Sequence, residues 1–352
     1  MKKILSIDGG GVRGLIPAMV LAEIEKRTHQ PIAESFDLIA GTSTGGILAL
    51  GLIKANEKGK PEFSAETLSE IYKKEGKRIF PQGTWTSAAR HLWRGFGISD
   101  EVYSHQGLEM LLKDKFGNTT LGHALTKVLI STYEIVDGEP LFFKSWDDDY
   151  QAVKMRDVAR ATSAAPTYFE PHQIKIIYDQ EKYYETHKWK YEKEKYRQII
   201  VEKNIDGKAV IEKTHTLVDG GVFINSPAVS AYAEAKRLFP DDQDLLMVSI
   251  GTGQINPEAS YEEAKDWGLA SWVKPLIKFM FDGVSDAADY QLKYLLGDEP
   301  GRYYRLQTDI DEESGAMDLA DQENIIRLID SATDLIRDQD ANLDKLCEVL
   351  CS

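Results

Sequence analysis

Ile7-Asp8-Gly9-Gly10-Gly11-Val12-Arg13-Gly14 decides how the chain folds, because a short apolar strand runs into it and an amphipathic helix runs out of it. The strand is Lys3-Ile4-Leu5-Ser6-Ile7. From Leu15 to Gln30, Ile16, Met19, Val20 and Ile24 recur at helical spacing, and Pro17 suits a first turn. Four glycines between the two give a backbone that turns sharply and offers bare N–H groups to an anion or a developing oxyanion. The spacing Gly9-x-Gly11-x-x-Gly14 also fits a dinucleotide fingerprint. That reading wants an acidic residue about 20 positions on, at the end of the next strand. The next strand, Phe36 to Ala40, ends instead on Gly41-Thr42-Ser43-Thr44-Gly45, and Asp8 would repel a pyrophosphate. A purely structural glycine turn is the third reading.

Gly41 to Gly45 is G-x-S-x-G between a strand and a second helix, Ile47 to Ala55. In that context flanking glycines let strand and helix cross closely and push the serine out at the tip. Ser43 is then either an activated nucleophile at a helix N-terminus or merely the cap of that helix. A nucleophilic serine needs a base. Thr216-Leu217-Val218 ends on Asp219-Gly220-Gly221, which puts Asp219 at the carboxyl end of a strand, where ligands gather in open α/β sheets. No histidine follows Asp219, so the order serine, acid, histidine is not available. A dyad in which Asp219 takes the Ser43 proton, with Gly9, Gly10 and Gly11 amides on the oxyanion, is the simpler arrangement. A free aspartate, with a pKa of about 3.9, is a poor base, so its pocket must raise its basicity.

The rest of the chain bounds these readings. Its 352 residues, 42% apolar, can bury a full core. A net charge of −15 opposes general nucleic-acid binding. The longest apolar run, Gly45 to Ile53, is far short of the roughly 18 residues that span a bilayer. Cys347 and Cys351 lie together near the end and offer no disulfide framework or metal-ligand spacing, so the expectation is a reduced, cytoplasmic protein. From Gly76 to Ser99, Lys77, Arg78, Arg90 and Arg94 occur without an acidic residue, interleaved with Phe80, Trp85, Trp93 and Phe96. That stretch reads as a lid or membrane contact, or as a loop whose aromatics fold inward. Residues 178–213 read as a polar hairpin insertion turning at Asp206-Gly207. Leu245 to Ile250 is a buried strand closed by Gly251-Thr252-Gly253. Trp267 to Phe281 is an apolar helical segment, Tyr303 to Leu306 a last strand, and Asn324 to Leu350 a terminal helical region. Helices alternating with apolar strands predict an α/β fold with a mainly parallel sheet covered on both faces.

Taken together, Asp8 to Gly14, Gly41 to Gly45, the run Ala159-Arg160-Ala161-Thr162-Ser163-Ala164-Ala165-Pro166-Thr167-Tyr168-Phe169, and Asp219-Gly220-Gly221 resemble the patatin-like phospholipase family. The resemblance covers roughly residues 4–255 in order. It implies a three-layer fold, a phospholipase domain over residues 1–255, and no metal or cofactor; residues 256–352 lie outside the resemblance and read as a mostly helical C-terminal extension packed on that domain. It also implies hydrolysis of acyl esters in membrane phospholipids at the inner face of the membrane. Ser43 would be the nucleophile, Asp219 the base, and Gly9, Gly10, Gly11 and Arg13 the oxyanion site, with Gly14, Gly41, Gly45, Gly220 and Gly221 as motif glycines. Length and character are also similar to bacterial phospholipase effectors of anti-phage defence. That narrower resemblance implies a cyclic dinucleotide activator and is compatible with an oligomer, although no motif marks a nucleotide pocket. A housekeeping lipase without a second messenger and an inactive lipid- or partner-binding module are the competing classes, and intact Ser43 and Asp219 argue against the last.

Overall fold

The computed structural model describes residues 1–79, 106–166, 168–197, 199–242, 244–255, 261–297, 301–311 and 313–352. Among them nine strands form one sheet: β1 (Lys2–Ile7), β2 (Leu38–Thr42), β3 (Lys127–Glu134), β4 (Glu139–Lys144), β5 (His172–Asp179), β6 (Ile200–Ile205), β7 (Lys208–Asp219), β8 (Leu245–Ile250) and β9 (Tyr303–Leu306). Its centre, in the order β3-β2-β1-β8-β9, is parallel. Strands β4 to β7 add an antiparallel wing, so the sheet is mixed. Every residue of β2 and β8 is buried, which is why both read as unbroken apolar runs.

Alternation along the strands divides the core into two. Leu5, Ile7, Ile39, Val128 and Ile130 face helices Leu15–Thr28, Thr44–Ile53 and Met155–Thr162, with Gln322–Asp338 and Asp340–Cys351 stacked behind. Ile4, Leu38, Ala40, Leu129 and Met247 face Ala228–Leu238 and the far end of Leu269–Leu296. Helices on both faces of one sheet make three layers.

Beyond residue 255 the expected strand Tyr303 to Leu306 joins the sheet as β9. Two elements differ from their sequence reading. The helix expected to stop at Phe281 runs on to Leu296, because Ala288, Leu292 and Leu296 return at helical spacing and are buried despite the polar residues between them. The terminal helical region is two helices divided at Gln339. In the insertion, β6 and β7 form the expected hairpin around Asp206 and Gly207, both at positive φ, preceded by short helices Gln180–His187 and Tyr191–Tyr196. The basic, aromatic stretch from Gly76 to Ser99 lies outside the described residues beyond Ile79.

Candidate active site

Ser43 and Asp219 meet because two strands share one edge of a third. Strand β2 pairs with Lys127 to Ser131 of β3, ending at Thr42 opposite Ser131. Strand β7 runs the other way and takes over the same edge for the next three residues, ending with Asp219 opposite Thr132, while β4 occupies the other edge. The two strands therefore stop head to head. The residue after one is Ser43, and the last residue of the other is Asp219. The strand-end rule for parallel sheets is not what places Asp219, since β7 is antiparallel; register does.

The turn at Ser43 is strained. Its φ of 54° and ψ of −123° lie where side-chain-bearing residues are rarely found, a sharp turn between β2 and helix Thr44–Ile53. Close crossing forces the flanking glycines: a side chain at Gly41 would run into the Gly45 carbonyl, and one at Gly45 into the carbonyl of Ile7. The Ser43 N–H donates to Thr162 Oγ1 at 2.9 Å, and that hydroxyl donates to the Ser131 carbonyl at 2.7 Å. Helix Met155–Thr162 thus fixes the turn itself.

Asp219 is 3% exposed. It accepts hydrogen bonds from Ser43 and from the Gly221 N–H, the latter at 2.8 Å. Burial drives its pKa up to about 7 against the opposing pull of these two donors. Among the described residues no cation pairs with it. Gly220 packs on Ser131, where a side chain would clash, and Phe281 packs against Gly221 beside the carboxylate.

The glycine loop is oriented by side chains from elsewhere. Thr252 Oγ1 donates to the Gly9 carbonyl at 2.7 Å, and Arg13 Nε donates to the Gly10 carbonyl at 3.3 Å. In a planar trans peptide N–H and C=O point opposite ways, so these bonds turn the amides of Gly10 and Gly11 away from Thr252 and Arg13. Among the described residues neither amide has an acceptor. Gly9 differs from its expected role: its N–H is engaged by the Asn225 carbonyl at 3.1 Å, and a side chain there would meet Asn225 and Ser43. Arg13 also departs from a direct oxyanion contact. Its buried guanidinium is spent on the carbonyls of Gly10 and Gly253, and burial lowers its pKa against the fields of Asp282 and Tyr168. Gly11 has φ +61° and abuts Met317, while Gly14 lets the loop close on Thr44. Asp8, beside the loop, is buried against Arg305 of β9 at 2.8 Å.

His215 lies on β7 well away from this geometry, its Nδ1 3.0 Å from Glu134 and its Nε2 2.8 Å from the Tyr178 hydroxyl. Thr162, Thr252, Asn225 and Ser131 are the site residues that the sequence did not reveal. Among the described residues no cluster of His, Cys, Asp or Glu has the form of a metal site.

Residues 5–232 match the family described as patatin-like phospholipase. "Patatin-like protein 2" of Arabidopsis thaliana is 31% identical, covering 98% of this chain and 85% of that protein. "Probable inactive patatin-3-Kuras 1" of Solanum tuberosum is 29% identical, covering 96% and 87%. Among solved structures, human GIVD cytosolic phospholipase A2 is similar at 11% identity and a TM-score of 0.42, over 99% of this chain and 60% of that one.

Proposed function

Because the chain belongs to the patatin-like phospholipase family, we propose that it is an active lipid acyl hydrolase working through a Ser43–Asp219 dyad on membrane phospholipids. One relative carries "inactive" in its name, so membership alone does not carry activity. The observation that carries it is the hydrogen bond between the strained Ser43 and a buried Asp219 whose pKa stands near 7. In the proposed cycle Asp219 accepts the Ser43 proton as Oγ attacks the ester carbonyl. The tetrahedral oxyanion is held by the amides of Gly10 and Gly11, which are preorganised and need no rearrangement as charge develops. Asp219 then gives its proton to the departing lysophospholipid alkoxide, leaving an acyl-serine. Water, deprotonated by Asp219, attacks that ester, and the proton returns to Ser43 as the fatty acid leaves. Thr162, Thr252 and Arg13 act by positioning the turn and the loop.

No helix among the described residues is long and apolar enough to cross a membrane, so the enzyme is proposed to meet its substrate at the bilayer surface. Release of fatty acid from phospholipid vesicles, by wild type and by Ser43→Ala, tests the reading; wild type without activity on any acyl ester would overturn it. The same assay with and without cyclic dinucleotides tests the activator and anti-phage role that the sequence resemblance implies. Activity independent of them would favour the housekeeping lipase.

A further inference from the structure

Helix Leu269–Leu296 has two faces, and among the described residues only one of them packs on the rest of the fold. At about 1.5 Å per residue its 28 residues span about 42 Å. One stripe faces inward. Phe281 lies on Gly221, Ser285 accepts a hydrogen bond from Asn225 at 3.3 Å, and Ala288, Leu292 and Leu296 are buried. That inward stripe forms part of the wall of the candidate active site.

The opposite stripe carries Trp272, Phe279, Tyr290 and Tyr294, separated by 7, 11 and 4 residues, each close to a whole number of turns. Trp272 is 39% exposed, Tyr290 63% and Tyr294 73%, and the two tyrosine rings pack against each other at a tilt with centroids 4.7 Å apart. Trp267, just before the helix, packs edge-on against Trp272 at 5.1 Å. Exposed rings in this number on one helix face need an explanation in an acidic protein whose other aromatics, among the described residues, are mostly covered. The sequence supplies a second observation. Between Asp266 and Asp282 it has two lysines and no acidic residue, a local positive charge in a chain of −15.

We propose that this outward stripe is the surface by which the protein docks on a phospholipid bilayer, the helix lying in the interfacial plane with its inner stripe against the catalytic centre. The inference rests on the hydrolase reading above and names where its substrate comes from. Trp and Tyr favour the headgroup region, where an amphipathic ring keeps its polar edge in water, and a helix that is aromatic on one face and not apolar enough to span binds in the plane. Docking through this helix brings the site wall level with the membrane, so a lipid need leave the bilayer only part-way to reach Ser43. A second copy of the chain would cover the rings too, but would give no reason for the acid-free stretch beside them.

The test uses Ser43→Ala as a catalytically silent background for flotation with vesicles of phosphatidylethanolamine and phosphatidylglycerol. Adding Trp272→Ser and Tyr290→Ser should weaken vesicle binding about tenfold or more. Trp272→Phe with Tyr290→Phe should keep most of it. In the active protein the serine pair should lower vesicle hydrolysis in parallel and leave a short, water-soluble ester hydrolysed at the wild-type rate. Unchanged flotation overturns the proposal, and so does sedimentation showing that the substitutions convert an oligomer to a monomer. Stripe-dependent vesicle binding without ester hydrolysis by the wild type would uphold the docking surface and sink the hydrolase reading. Hydrolysis indifferent to the stripe would do the reverse.

Discussion

Strand β7 carries two buried ionisable regions a few residues apart, and they are built in opposite ways. Towards its start, Lys213 is 2.6 Å from Asp137 and 2.7 Å from Glu194. Lys190 joins the same acids and Glu139, Tyr183 donates to Glu194, and His215 is held between Glu134 and Tyr178. Burial alone would neutralise these groups. Instead Lys213 is raised and Asp137 lowered, because each finds its opposite charge within hydrogen-bonding distance. At the strand's other end Asp219 is as deeply buried and, among the described residues, is given a hydroxyl and an amide but no cation. The first arrangement fixes charges in place and ties the insertion to the sheet. The second leaves a carboxylate close to balance between its two protonation states near neutral pH, which a general base requires.

The contrast can be broken most forcefully at Ser43 and Asp219. Ser43→Ala and Asp219→Ala should each reduce turnover of a soluble ester by roughly four orders of magnitude or more, and the double variant should be no worse, as for groups acting as one unit. Near-normal turnover in either would dissolve the dyad. Next come Gly10→Ala and Gly11→Val, which should cut turnover roughly a hundred- to a thousandfold while vesicle binding is kept, because the amides act on the transition state. Equal losses in binding and turnover would point to a cradle for the ground-state phosphate instead.

At the paired end the readout should switch from activity to stability. Lys213→Met leaves Asp137 and Glu194 buried without their cation and should destabilise the fold by about 3–5 kcal/mol in urea titrations, with activity per folded molecule retained. His215→Gln should cost about 1–3 kcal/mol through lost buried hydrogen bonds, and its effect on turnover should be the smallest of the set. If His215→Gln is as inactive as Ser43→Ala, a histidine mechanism returns.

Much of this was readable in the sequence, for physical reasons that also mark where reading stops. Strands β1 and β8 and the turn at Ser43 stand out because burial on both faces demands apolar runs and a sharp crossing demands glycines. Asp219 reads as a strand end, yet what makes it meet Ser43 is the sharing of one edge of β3, and register between such distant strands leaves no local trace. Thr162, Thr252 and Asn225 act on peptide groups, so no spacing announces them, although Thr252 between two glycines after a buried strand was the available hint. The role expected of Gly9 failed for the same reason: whether an amide is free depends on a carbonyl more than 200 residues away.

Asp219 is proposed as the base, tuned by burial with no cation beside it among the described residues, and not by a histidine. The direct test is the pH dependence of kcat/KM for a soluble acyl ester. Because Asp219 must be ionised to accept the Ser43 proton and its pKa is raised to about 7, activity should fall about tenfold per pH unit below a single inflection near 7 and level off above it. Asp219→Asn should abolish the activity and the inflection together. A profile flat from pH 5 to 8, or an inflection that survives Asp219→Asn, would contradict the account.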